Sequence, residues 1–150
     1  MTVTAMSVDE RETFLSQPWI ALISIPEPER GPLTVPVWYL YEPGRDLRIW
    51  TGKKTYKARL LEAAGRISVC VQDPHPPYKY VSIEGPISIE PVQFERDVRP
   101  LALRYFGAER GEEYLASIGG AAGVAEDILV RVKPERWLTV DYSKLEPPQK

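Results

Sequence analysis

The chain has one cysteine, Cys70, and one histidine, His75, in 150 residues. One cysteine excludes an intrachain disulfide and any cysteine-based metal cluster. One histidine excludes a Ser-His triad unless His75 itself takes part, and its place in Asp73-Pro-His-Pro-Pro77 reads as an exposed turn. No apolar run approaches the ~18 residues of a membrane span. The N-terminus has no basic start followed by an apolar stretch, so no signal peptide is read there. These absences lead us to expect a cytoplasmic, metal-free protein that does not engage a membrane.

What is present is the composition of a globular chain, long enough for one domain (residues 1–150) that buries about two-thirds of its unfolded surface. The net charge of −2 argues against a nucleic-acid partner. The charge is unevenly spread. From Arg45 to Arg66 seven basic residues (Arg45, Arg48, Lys53, Lys54, Lys57, Arg59, Arg66) face two acids, Asp46 and Glu62. A positive island on an acidic chain suits either an anionic ligand or a solvated helix face, and charge alone does not choose.

Pattern and punctuation predict the elements. Residues 7–17 suggest a short helix capped by Ser7 or Asp9. Strands are predicted over 19–25, 34–41, 47–51 and 67–71. A fifth covers 81–90, with Val81, Ile83, Ile87 and Ile89 on one face and Pro86 marking an edge or a bulge. Lys57, Leu60, Leu61 and Ala64 recur at helical spacing, between a cap at Thr55 and a stop at Gly65. Residues 93–117 read as two helical pieces divided at Phe106-Gly-Ala, and Gly119-Gly-Ala-Ala-Gly123 reads as a loop. Ile128–Val132 and Trp137–Tyr142 give one long strand or two joined strands, and a polar, mobile tail is expected after Lys144. The expected fold is therefore mainly β (α+β): a six-stranded antiparallel barrel with a crossover helix and a helical insert. The second strand is apolar on both faces, Val35, Val37 and Tyr39 against Pro36, Trp38 and Leu40. Something must cover its outer side, and a subunit interface or a planar ligand would both do so.

The segment Ile49-Trp-Thr-Gly-Lys-Lys-Thr-Tyr-Lys57 concentrates the chemistry. It fails as a Walker-type phosphate loop, because Leu47 stands where the first glycine is needed and Lys54 where Ser or Thr is needed. It succeeds as a strand end, a turn and a helix start. Free amides at a helix N-terminus attract anions, and Lys53, Lys54 and Lys57 gather at the end of the helix where cations are otherwise disfavoured.

This segment, continued by Ala58-Arg-Leu-Leu61, resembles the strand–turn–helix of the pyridoxamine 5′-phosphate oxidase-like FMN-binding split barrels. Val35-Pro-Val-Trp-Tyr39, Tyr80-Val-Ser-Ile-Glu-Gly-Pro86 and Arg131-Val-Lys-Pro-Glu-Arg-Trp137 resemble further family pieces, in the family's order. The resemblance implies a split-barrel homodimer with flavin sites at the subunit interface. It would place the cofactor phosphate on Thr51, Thr55 and Lys57, with Lys53 and Lys54 nearby. The ring would lie along Pro36, Val37 and Trp38, close to Trp50. Tyr78, Lys79 and Tyr80 would come from the partner subunit, with Trp38, Trp50 and Tyr80 walling the ring and Tyr78 or Lys79 as a proton donor. The basic pair of the true oxidases on the second strand is replaced here by Val35 and Leu40, which argues against pyridoxamine phosphate as substrate. The shorter members that this chain resembles more use FMN or the deazaflavin coenzyme F-420. The implied activity is hydride transfer to or from a small conjugated substrate; a non-catalytic flavin-binding or interaction protein of the same fold is the alternative.

Overall fold

The structure, a computed structural model, describes residues 2–145. The tail expected to be mobile lies outside the described residues from position 146 onward. The element order is α1 (Val8–Leu15), β1 (Ala21–Ile25), β2 (Leu33–Val37), β3 (Leu40–Tyr41), β4 (Leu47–Thr51), α2 (Tyr56–Ala64), β5 (Arg66–Asp73) and β6 (Lys79–Pro91). A π-helical turn (Phe94–Val98) then leads into α3 (Arg99–Phe106), α4 (Ala108–Ser117), α5 (Gly120–Gly123), β7 (Ile128–Val132) and β8 (Arg136–Asp141).

Every strand pairing is antiparallel, in the order β2-β1-β5-β6-β7-β4-β3, with β8 added to β6. The result is a curled half-barrel with a helical insert, the expected class. The six anticipated strands become eight. The second breaks at Trp38 and Tyr39 into β2 and β3, and the last divides at the Lys133–Glu135 connection into β7 and β8. The predicted Gly119 loop contains a single helical turn, Gly120–Gly123.

Local chemistry sets the helix ends. Ser7 and Glu10 form a reciprocal capping box at the start of α1. The Thr55 hydroxyl accepts from the Ala58 amide at 3.0 Å, and Gly65 ends α2 at φ +70°. The buried side of α2 is Ala58 and Leu61, so the predicted stripe is rotated: Lys57, Leu60 and Ala64 flank it half-buried.

Pro86 does not mark an edge. Strand β6 lies between β5 and β8 over Lys79–Glu84, then pairs with β7 over Ile87–Pro91. The missing proline donor falls where the strand changes partners, and its carbonyl accepts from Lys133 at 3.0 Å. Beside it, a Cβ on Gly85 would stand 1.8 Å from the Lys133 carbonyl oxygen. Only glycine lets the β7–β8 connection cross there.

The insert is bolted to the sheet by charge. Asp97, fully buried, accepts from Arg48 Nη1 at 3.0 Å, from Arg96 Nε at 2.7 Å and from the Gln93 amide at 2.8 Å. Burial pushes its pKa up, but these donors outweigh burial and hold it below the ordinary 3.8.

Two outcomes follow from these contacts. Gly85→Ala should cost about 3 kcal/mol, through the forced backbone shift, in urea unfolding. Asp97→Asn should cost about 3 kcal/mol at neutral pH by leaving arginines unpaired. Because the folded-state pKa is depressed, that contribution is complete above the ordinary carboxylate range. The difference between wild type and variant should shrink as pH falls below 3.8, measured by acid titration of the unfolding midpoint.

Candidate functional site

Strand β4 carries the centre of the site. Its register places Trp50 opposite Leu129 and Thr51 opposite Ile128, so the next step sets Gly52 across from Asp127. At this end of the strand a cavity of about 570 Å³ opens, lined among others by Pro36, Trp38, Trp50, Thr51, Lys57 and Asp127. That volume lies in the range of small-molecule sites.

The aromatic wall is built by the insert. Trp38 stacks on Tyr105 with ring centres 5.0 Å apart and planes 6° from parallel, and meets Phe106 and Tyr114 edge-on. Tyr105 donates from its hydroxyl to the Trp19 carbonyl at 2.7 Å and accepts from the Tyr39 amide at 3.2 Å. The chain itself therefore covers Trp38, where the sequence suggested a subunit or a ligand. Pro36 stays exposed beside it. Trp50 packs against the insert's core of Val98, Ala102 and Leu115, and its Nε1 donates to Asp127 Oδ2 at 2.8 Å.

Charge on the cavity wall is unevenly satisfied. Lys57, in the first turn of α2, is half-buried and makes no ion pair within 4 Å among the described residues. Burial pulls its pKa below the usual lysine value. Thr51 is nearly buried and its side chain makes no hydrogen bond within the described residues. Thr55 is otherwise engaged: its hydroxyl donates to the Gly52 carbonyl at 3.0 Å while capping α2. Lys53 and Lys54 stand exposed on the turn outside the cavity, with Lys54 3.7 Å from Glu126.

Of the residues singled out from the sequence, Pro36, Val37, Trp38, Trp50, Thr51 and Lys57 are brought together around this cavity. Tyr78, Lys79 and Tyr80 are not; they lie just before and at the start of β6, where Tyr78 is 51% exposed, Lys79 lies 3.9 Å from Asp141 and Tyr80 neighbours Tyr142. His75 is exposed, as expected, and pairs with Asp73. Asp127 and Tyr114 were missed. The signal for Asp127 was its position just before a predicted strand, but only the β4–β7 pairing gives that position meaning.

The outer side of the sheet carries a second feature. Leu138, Ser82, Cys70, Leu22 and Pro36 lie side by side across β8, β6, β5, β1 and β2. Leu138 is 55% and Leu22 39% exposed, while the strand neighbours of Leu22, Cys70 and Ser82 (Ala21, Ile23, Val69, Val71, Val81, Ile83) are buried in the core. This row, apolar except for Ser82, ends at Pro36, which lines the cavity.

No family model and no curated protein matches the chain. Solved structures do. The conserved hypothetical protein Rv2991 from Mycobacterium tuberculosis superposes with TM-score 0.80 at 22% identity, over 100% of this chain and 94% of that one. A structure named F420 reductase gives TM-score 0.60 at 20% identity, over 85% and 94%. A Listeria innocua protein provisionally named pyridoxamine 5′-phosphate oxidase gives 0.65 at 14%, over 88% and 96%. The likeness is one of fold, and it is the fold that the Ile49–Lys57 segment implied.

A half-buried ammonium without a carboxylate partner burdens the folded state. Lys57→Met should therefore leave stability unchanged or raise it by less than about 1 kcal/mol, since solvent screens the exposed half. Calorimetric melting checks this.

Proposed function

We propose that the chain is a flavin-type oxidoreductase that holds FMN or the deazaflavin coenzyme F-420 in the cavity beside Lys57, at the interface of a homodimer. The observation that carries this reading is Lys57: a half-buried cation without an acidic partner among the described residues, at the mouth of an aromatic-walled cavity. Burying such a charge is unfavourable unless an anion completes it. The Thr51 hydroxyl, which has no hydrogen-bond partner among the described residues, and the first amides of α2 supply further donors for a phosphate. Lys53 and Lys54 raise the local potential, and Thr55 acts by holding the helix start in place.

The donor set fits a phosphorylated flavin. Trp38, Trp50 and Tyr114 form the apolar wall for a planar ring, and Pro36 and Val37 present backbone along it. Bound there, the cofactor would supply the hydride-donating or hydride-accepting atom, and the protein's part is to place it, exclude water and orient a small conjugated substrate. The row from Leu138 to Pro36 is the surface we assign to the dimer, since apart from Ser82 it is apolar and it runs to the cavity. In that arrangement Tyr78, Lys79 and Tyr80 of the partner subunit could close the site, with Tyr78 or Lys79 as proton donor. The names carried by the F420 reductase and by the FAD and heme binding protein from Mycobacterium smegmatis (TM-score 0.68, 12% identity) accord with a flavin-type ligand. Val35 and Leu40, which replace the basic pair of the true oxidases, make pyridoxamine phosphate a poor candidate substrate.

Mixing the purified protein with FMN or with F-420, followed by gel filtration, should leave one of them bound; uptake of neither overturns the assignment. Lys57→Met should weaken that binding by about 1.5–3 kcal/mol, the value of a charged contact to phosphate. Leu138→Asp should shift the protein from dimer to monomer in light scattering and lower cofactor retention with it. A monomeric wild type would refute the interface.

A further inference from the structure

Asp127 stands at the place where the proposed phosphate would bind, and a carboxylate there needs an account. Its Oδ1 lies 3.8 Å from where a Cβ on Gly52 would stand, and that same point is 3.5 Å from Thr55 Cγ2. Glycine at this position lets the carboxylate lie against the turn that leads into α2. Asp127 is also held in place. Its Oδ2 accepts from Trp50 Nε1 at 2.8 Å, its carbonyl accepts from the Val92 amide at 3.1 Å, and its amide donates to the Val124 carbonyl at 2.9 Å. Lys57 does not neutralise it, because the two share a cavity without an ion pair within 4 Å.

We propose that Asp127 makes the cavity discriminate by phosphate charge, disfavouring a dianionic phosphomonoester such as FMN and admitting a phosphodiester that carries a single negative charge. The inference rests on the flavin-type reading above and sharpens its choice of cofactor. Three lysines (Lys53, Lys54, Lys57) and two acids (Glu126, Asp127) stand on the turn, on the first turn of α2 and on the segment opposite, a net of one positive charge, with Lys54 3.7 Å from Glu126. A phosphomonoester carries about −1.5 to −2 at neutral pH, whereas a diester carries one charge at any pH above its low pKa. The second charge of the monoester would meet the fixed carboxylate against the protein wall, where like charges repel more strongly than in bulk water. Among the phosphorylated flavins, those in which the phosphate is esterified on both sides match the site.

The test compares three ligands that share one ring: riboflavin, FMN, and FMN methylated on its phosphate. Their affinities are read from flavin fluorescence in wild type and in Asp127→Asn. The asparagine oxygen can still accept from Trp50 Nε1, so the variant keeps that contact, and an unchanged melting temperature verifies it. Wild type should bind the methyl ester at least as tightly as FMN. Asp127→Asn should tighten FMN by about tenfold, 1.4 kcal/mol, while changing the methyl ester and riboflavin less than about threefold. A wild type that prefers FMN to its methyl ester, or a variant with the same FMN-to-ester ratio as wild type, overturns the charge discrimination while the flavin site stands. Failure of all three ligands, in both proteins, overturns the charge discrimination, and if F-420 is not retained either it overturns the flavin-type site together with it.

Discussion

Strand β6 has to serve two sheets, and the rest of the architecture follows from how it does so. Its first half is paired on both edges, by β5 and β8, and its second half is handed to β7. Gly85 and Pro86 sit at the transfer. One has no Cβ to block the crossing backbone of Lys133, and the other has no amide to leave unpaired. Through β7, the transfer brings β4 into the sheet, and β4 delivers Trp50, Thr51 and the Gly52 turn to the cavity. Were the two halves of β6 to remain on one sheet, Asp127 would not stand beside Gly52.

The helical insert completes what the sheet begins. Asp97 fixes its base to Arg48 on β4, and the stack of Trp38 on Tyr105 fixes its top to the end of β2. Arg104 reaches from the same helix to the carbonyls of Leu15, Ser16 and Gln17, supplying donors at the C-terminal end of α1. The Tyr39 hydroxyl lies within reach of the same Leu15 and Gln17 carbonyls, and burial raises its pKa, which keeps it a donor. Sheet, insert and first helix thus share polar contacts around one aromatic cluster. The cluster gives the cavity a rigid wall.

Against this frame the charges of the site are conspicuous because they are not paired with each other. Several buried or half-buried ions are matched by opposite charges, as at Asp97 with Arg48 and Arg96, or Glu90 with Arg96 and Arg131. Lys57 and Asp127 line a single cavity without such a pairing between them. An unmatched cation and a pinned carboxylate cost the fold something, and such costs are retained where a ligand uses them.

The sequence by itself determined the local elements: the Ser7 and Thr55 caps, the Gly65 stop, the division of the insert at Gly107 and the strand–turn–helix around Gly52. Each depends on residues within a turn or two of one another, so spacing was enough. It also identified Lys57, Thr51 and the aromatic strand that gather at the cavity. Tertiary structure alone decided which strand lies beside which. That choice split the second strand, turned Pro86 from a marker of an edge or a bulge into a transfer point, covered Trp38 with the chain's own helices, and set Asp127 opposite Gly52. It also placed Tyr78, Lys79 and Tyr80 away from the chain's own cavity, and the family resemblance assigns them to the partner subunit's site. Pairing between segments some 75 residues apart, as for Thr51 and Ile128, is fixed by burial summed over the whole sheet, and no local pattern encodes that sum.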